Sequence, residues 1–456
     1  MCGIAGAYQE TAQVVEQMLD RIKHRGPDGD GLKVHGPAIH GHVRLALVDL
    51  TDASSQPFLR NGSTLTFNGE LWNYRDLRAV MQAGGETFAT SGDTEVLAAM
   101  LDREGLACLP RLDGMFAFAW SSKGNGHWLV RDCFGKIPVY LAKTKKGYLW
   151  ASERKAFAPG LRPIAVPPGW AFNLVTGEWL HWYEMSKTLE PMDAAAVLDH
   201  LRAGVRKRLA ADAPVCCLIS GGLDSGLILA LAKEATPDVT AYTATFDNES
   251  SDLKSARRLC AELGVRLIEV PVSISFSGIS KAIRSIEIAS KAQIEIAMLC
   301  LPLAERIYAD GFRACLSGEA ADELFGGYGN FCIQASKVGD QEITSLRLSQ
   351  LSKMARGNFV RCNKAFMSAG VECRLPFMEQ GLVEGAMQLS KKQSPPGKVL
   401  LKEAARLLVP QWVIKRTKDT FQGGSGLADA IPNHVANPLI YYNAELRKSF
   451  GYLPKD

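Results

Sequence analysis

Near residue 190 the texture of the chain changes, and that change limits the fold more than any other feature. Before it, short alternating or apolar runs follow one another: Gly41–Leu50, Thr64–Phe67, Met115–Trp120, Trp128–Arg131 and Tyr148–Ala151, parted by Gly, Asn, Asp and Lys. Runs with such breaks read as strands. Helical windows interrupt them near Ala12–Lys23, Tyr74–Ala83 and Thr94–Glu104. Pro163, Pro167 and Pro168 mark a turn into a closing hairpin, Trp170–Trp182. From Asp193 apolar strands alternate with helical windows: Ala213–Ile219, Gly226–Glu234, Val239–Phe246, Asp252–Leu263, Val265–Val272 and, after further helices, Phe312–Leu316. Such alternation predicts a parallel sheet with helices on both faces. The expectation is two domains, 1–190 of α+β type and 191–456 of α/β type, the latter ending in a mostly helical stretch.

Composition narrows the function classes. The 456 residues are 47% hydrophobic and 22% charged, ordinary for a globular chain and wrong for disorder or collagen. No apolar run approaches the roughly 20 residues of a membrane span. Lys plus Arg number 52 against 48 Asp plus Glu, too small a surplus to argue for nucleic acid. Eleven cysteines are scattered, with no C-x-x-C pair. That spacing fits neither a zinc site nor a disulfide framework and points to thiols in a reducing cytoplasm. The first residues show no basic segment followed by an apolar core, so no signal peptide is expected.

Cys2 stands apart. With Met1 removed, it carries a thiol beside an α-amine, whose pKa of about 7.7–8 lets it take the thiol proton without a histidine. An ordered series follows: His24-Arg25-Gly26-Pro27-Asp28-Gly29, Arg44 to Asp49, Phe67-Asn68-Gly69-Glu70-Leu71-Trp72-Asn73, Ser91-Gly92-Asp93-Thr94-Glu95, Leu112-Asp113-Gly114-Met115-Phe116, Arg131-Asp132-Cys133-Phe134-Gly135 and Ala151-Ser152-Glu153. Together with Met1-Cys2-Gly3-Ile4 this resembles the class II glutamine amidotransferase domain, an N-terminal nucleophile hydrolase built as an αββα sandwich. The resemblance implies that Cys2 attacks the glutamine side-chain amide, with Asn68 and the Gly69 N–H as oxyanion donors. Arg44 would hold the α-carboxylate, Asp93 and Glu70 the α-ammonium, and backbone groups of Leu45, Leu47 and Val48 would line the pocket. Arg25, Asp28 and Asp132 are at least as well explained by turns and ion pairs, and His24 and His42 show no sign of binding metal.

The second centre is Val215-Cys216-Cys217-Leu218-Ile219-Ser220-Gly221-Gly222-Leu223-Asp224-Ser225, a strand, a Ser/Gly-rich loop and a helix start. Glycines let backbone approach a phosphate, and a helix N-terminus favours an anion. An Asp beside phosphates makes sense when Mg²⁺ mediates. The loop is neither a Walker A motif nor G-x-G-x-x-G. It is similar to the PP-loop of ATP pyrophosphatases. Ser251-Asp252-Leu253-Lys254, Leu316 to Tyr328, Arg361-Cys362-Asn363-Lys364, Gly370 to Phe377 and Arg416 to Phe421 resemble the asparagine synthetase family. The resemblance implies a Rossmann-like parallel-sheet domain and acyl-adenylate chemistry, with ammonia passed internally from the first centre. Leu218, Ser220, Gly221, Gly222, Leu223, Asp224, Ser225, Thr245, Ser317 and Gly318 would surround ATP. Asp224 and Asp322 would bind Mg²⁺, Lys418 would stabilise the reacting α-phosphate, and Glu319 and Glu372 would be acid/base or positioning groups. A buried ion pair with Arg374 explains Glu372 equally well, and Lys398 reads as a solvated lysine at a helix start. Partners would be small molecules (glutamine, ATP and a carboxylate acceptor), with a homodimer common in the family.

Two departures concern the acceptor. Family members of the bacterial glutamine-dependent type carry Thr-Tyr-Asp and then an Arg after the equivalent of Ile286-Glu287; here Glu295 stands where that Arg would be. A carboxylate facing the acceptor would disfavour aspartate. Ala320 replaces the usual Gly in the Ser317-Gly318-Glu319 loop, and the chain is short after its last motif. The readings are amidation of aspartate or the same chemistry on another carboxylic acid of a natural-product or cell-surface pathway. A silent, non-catalytic protein is disfavoured by retention of Cys2, Asn68, Asp93, Asp224, Asp322 and Lys418 together.

Overall fold

The computed structural model describes residues 1–185, 192–246, 250–416 and 438–453. Twelve strands precede residue 190: β1 Gly3–Tyr8, β2 Gly29–His35, β3 Ala38–Arg44, β4 Phe58–Arg60, β5 Ser63–Leu71, β6 Gly114–Ser122, β7 Gly126–Arg131, β8 Tyr140–Lys143, β9 Tyr148–Ala151, β10 Ile164–Ala165, β11 Trp170–Asn173 and β12 Trp179–His181. They form two six-stranded antiparallel sheets, ordered β10-β8-β9-β1-β3-β2 and β12-β11-β7-β6-β5-β4. The hairpin β11–β12 closes the second sheet, as the sequence predicts.

The sheets face each other across a core of Ile4, Met115, Ala117, Leu129, Leu141, Trp150 and Phe172. Their outer faces are covered as well. The helix Ala12–Ile22 turns Val15, Met18, Leu19 and Ile22 inward, the i, i+3, i+4, i+7 stripe of an amphipathic helix. These pack on Ala5, Ala7 and Val43. On the other side Val96, Leu97 and Met100 of the helix Asp93–Glu104 meet Leu65, Phe67 and Phe118. The layers are therefore helix, sheet, sheet, helix. Burial on both faces explains why β1 and β6 read as nearly continuous apolar runs rather than as alternation.

The run Gly41–Leu50 predicted one strand, but the structure ends β3 at Arg44. Asp49 adopts a left-handed φ of 52°, which a strand does not allow, and residues 45–50 peel away as a loop.

Beyond residue 190 lie β13 Val215–Leu218, β14 Thr240–Thr245, β15 Arg266–Pro271, β16 Ala314–Leu316 and β17 Glu372–Arg374. They make a parallel sheet ordered β15-β14-β13-β16-β17. The chain winds outward from β13 in one direction to β15, then returns to the other side as β16. In open α/β sheets, ligands bind at such a switch point, outside the carboxyl ends of the strands. Here that point lies between the loops following β13 and β16. The halves share one core: Ala213, Ala314 and Met367 pack with Met1, Leu45 and Leu47.

Candidate active site

Cys2 immediately precedes β1, which runs between β3 and β9 near the middle of its sheet. Its backbone N–H donates to Asn68 Oδ1 at 3.0 Å, and its Sγ lies 3.7 Å from the Leu45 carbonyl oxygen. Asn68 and Gly69 lie on β5. The Asn68 amide also reaches Ser152 Oγ at 3.3 Å, and that hydroxyl accepts the Ile4 N–H at 2.9 Å. Gly69 has no alternative, because a Cβ there would collide with the Met115 carbonyl.

A pocket beside the thiol is walled by Arg44, Leu45, Leu47, Val48, Gly69, Glu70 and Asp93. The loop that leaves β3 thus becomes the pocket wall. It is held by Asp28, whose carboxylate accepts the Ala46 N–H at 2.8 Å. Arg44 is clamped by the carbonyls of Asp49 at 2.6 Å and Thr51 at 2.8 Å. Asp93 opens a helix and accepts the Leu71 N–H at 3.0 Å. Burial pushes its carboxyl up to about 6. Burial raises Glu70 as well, followed by the charge of Glu372, while Arg374 pulls it back. Burial also raises the Cys2 thiol, so ionisation needs a base.

Several contributors were not legible as site residues. Arg25, fully buried, donates to the Cys2 carbonyl at 3.0 Å, to Glu153 at 2.7 Å and to Asn363 at 2.9 Å. Gln56 lines the pocket and brackets Phe67 through both its amide groups. Their long sequence separations hide such contacts. Asp132 is a turn residue, accepting from the N–H groups of Phe134, Lys136 and Ile137. His42 is fully buried, and burial lowers its pKa to about 3, keeping it neutral.

At the second centre, Ser220, Gly221 and Gly222 connect β13 to the helix Leu223–Ala235. Gly221 has φ 72°, and a Cβ on it would strike the backbone of Ala256. Ser225 Oγ accepts the Ser220 N–H at 3.1 Å and lies 3.0 Å from Ser220 Oγ. Leu218, Thr245 and the pair Ser317-Gly318 lie at the carboxyl ends of β13, β14 and β16. A Cβ on Gly318 would sit 2.7 Å from the Ser225 nitrogen, so the two loops touch at the switch point.

Lys398 is the main surprise here. It is buried, not solvated, and its Nζ bridges Asp224 at 2.5 Å and Asp322 at 2.6 Å. It is held at φ 61° before the helix Val399–Ala404. The two aspartates therefore converge on one cation. Hard carboxylate oxygens so placed suit Mg²⁺, which typically takes one or two carboxylates and completes its shell with waters and phosphates. Among the described residues no group of three or more His, Cys, Asp or Glu side chains could hold a metal unaided.

Glu319 pairs with Arg361 and accepts from Asn358 at 3.1 Å. Asn358 also reaches Glu323, which burial raises to about 7 and which accepts from the Tyr328 hydroxyl at 2.7 Å. Gln293 joins through Arg361 at 2.7 Å and Asn358 at 2.9 Å. Gln293 therefore meets this cluster. Glu295 is buried beside Lys291 at 3.3 Å and near the Tyr442 phenol. Ala320 has φ 83°, a left-handed conformation costing a non-glycine residue about 1 kcal/mol.

Glu372 takes the ion-pair alternative. Fully buried, it binds Arg374 Nε at 2.5 Å and the Met1 ammonium at 2.5 Å. It pairs with Ala314 at the start of β16, whereas the nucleotide loops follow the strand ends. Lys418 lies outside the described residues. One helix, Asn358–Met367, touches both centres: Asn358 and Arg361 meet Glu319, while Asn363 lies 3.0 Å from Met1 Sδ and binds Arg25.

The sequence model of the glutamine amidotransferase domain matches residues 1–167, and that of asparagine synthase matches 196–350 and 333–444. Asparagine synthetase B [glutamine-hydrolyzing] of Escherichia coli K12 is 30% identical over 93% of this chain and 83% of its own length. Asparagine synthetase [glutamine-hydrolyzing] 3 of Arabidopsis thaliana is 28% identical over 96% of this chain and 83% of its own. That of Sandersonia aurantiaca is 29% identical over 92% and 83%.

Proposed function

Because the chain belongs to the asparagine synthase family, we propose a division of labour between its two centres. The enzyme is an ATP-dependent, glutamine-using ligase that amidates a carboxylate. In our reading the first centre is a glutaminase. With Met1 in place the Cys2 nitrogen is an amide and cannot act as a base. Its removal frees an α-amine that takes the thiol proton. The thiolate attacks the glutamine side-chain amide, and the oxyanion meets the Asn68 amide and the Gly69 N–H. Collapse expels ammonia, the proton returning to nitrogen, and leaves a thioester that water hydrolyses to glutamate. Arg44 receives the substrate carboxylate as a planar fork. Asp93 and Glu70 receive its ammonium. The observation carrying this reading is the contact of Cys2 with Asn68 at the edge of a pocket that offers one guanidinium and two carboxylates.

At the second centre ATP would sit with its adenosine against Leu218, Thr245, Ser317 and Gly318, and its phosphates on the loop Ser220–Ser225. Asp224 and Asp322 would hold Mg²⁺, which neutralises phosphate charge. The acceptor carboxylate attacks the α-phosphate, breaking its bond to the β-phosphate and releasing pyrophosphate. Lys418 would stabilise the charge formed there. Ammonia then displaces AMP to give the amide, losing a proton, with Glu319 as the nearby base or positioning group.

Aspartate is the acceptor we propose, supported by the named relatives. The same reading makes small molecules the partners, a homodimer the assembly and the cytoplasm the compartment. None of the eleven cysteines forms a disulfide, which supports the last. Among the described residues no helix is long and apolar enough to cross a membrane. The test is product analysis with a panel of carboxylic acids. We expect AMP and pyrophosphate, released on addition of aspartate. ADP and phosphate would overturn the loop assignment; silence with aspartate and turnover of another acid would select the second acceptor.

A further inference from the structure

The glutaminase pocket is not built by the first half alone. Arg374, on β17 of the other half, is fully buried. Its Nη1 donates to the carbonyl of Arg208 at 2.7 Å, its Nε to Glu372 at 2.5 Å, and its plane lies over the Trp72 ring at 5.2 Å. Three sides of the guanidinium are thereby fixed. Its Nη2 makes no hydrogen bond among the described residues and lies 3.4 Å from Glu70 Oε2, on the pocket wall. A buried, fixed donor whose free end faces a carboxylate of a binding pocket is placed to hold that carboxylate.

We propose that Arg374 is a positioning residue of the glutaminase centre, holding the Glu70 carboxyl in place for the glutamine α-ammonium. The amide-donor site is then complete only when the synthetase half is docked. This rests on reading the pocket as the glutamine site. The groups facing Glu70 are Glu372 and Arg374 on β17, Asp93 on its helix, the Met1 ammonium and, more weakly, the Cys2 thiol and the Tyr74 phenol. Arg374 is the side-chain cation in that set. Without it, the charges of Glu372 and Asp93 push the Glu70 carboxyl, already raised by burial, further up, and its neutral form gains. A neutral Glu70 attracts an ammonium weakly.

The experiment is steady-state hydrolysis of glutamine without ATP, followed by glutamate release. For Arg374→Met we expect KM for glutamine to rise about 10-fold with kcat within about 3-fold, the pattern of lost uniform binding. The acid limb of kcat/KM against pH should move upward, and Arg374→Lys should recover most of the affinity by restoring the charge. Should Arg374→Met fail to fold, Arg374→Gln with Glu372→Gln removes the pair without stranding Glu372, and the same rise in KM is expected. Unchanged KM in both variants overturns the inference. So does a joint fall in kcat and melting temperature that Lys does not rescue, which would mark a structural role. Absence of glutamine hydrolysis in the wild-type enzyme would instead remove the pocket assignment on which the inference stands.

Discussion

Asp93 should give glutamine use its acid limit. In our account its carboxylate pairs with the substrate ammonium, and burial lifts its pKa to about 6. The charged form dominates above that pH and is lost below it. KM for glutamine should therefore be flat from pH 7.5 to about 6.5 and rise about tenfold for each unit below about 6. Asp93→Asn should give a high KM that no longer depends on pH in this range; a wild-type KM flat down to pH 5 would contradict the assignment. Single residues carrying unusual chemistry were the most legible in the sequence. Cys2, Asn68, Gly69 and Asp224 stand in short motifs whose chemistry admits few substitutes. Lys398 was not, since nothing around Gly397-Lys398-Val399 reports that two aspartates 174 and 76 positions away close on it. Arg374 and Glu372 were seen as a possible pair, but their reach to Glu70 and Met1 was invisible.

Among the elements, the loops after β13 and β16 depend on Lys398 in the absence of metal. Removing one partner of a buried charge cluster costs about 3–5 kcal/mol. Lys398→Met should therefore lower the melting temperature of the nucleotide-free enzyme. Added Mg²⁺ should recover more stability in the variant than in the wild type, since it supplies the missing positive charge to Asp224 and Asp322. Equal Mg²⁺ responses in thermal melts would argue that the two aspartates do not share a cation site. Strands and helices were legible where burial has a clear period, as in Ala12–Ile22. The run Gly41–Leu50 misled because apolar residues lining a pocket look like apolar residues in a strand. Only the left-handed turn at Asp49 separates them.

At the scale of the whole molecule, the change of texture near residue 190 marks a change of sheet type but not a break in the core. Met1, Leu45 and Leu47 pack with Ala213, Ala314 and Met367, and Asn363 and Arg374 reach the first centre. A fragment of residues 1–190 should thus expose apolar surface and bind glutamine poorly. Mixing it with residues 191–456 should restore hydrolysis. Full activity of the fragment alone would show that the halves are independent. Contacts between segments hundreds of residues apart leave no local trace in a sequence, which is why this seam was hidden. The account's central claim is that two centres share one amidation, and a donor assay on Cys2→Ala tests it most directly. Amide formation should vanish with glutamine as nitrogen donor and persist with ammonium salts at elevated pH. Retention of glutamine-supported synthesis, or loss with both donors, would contradict it.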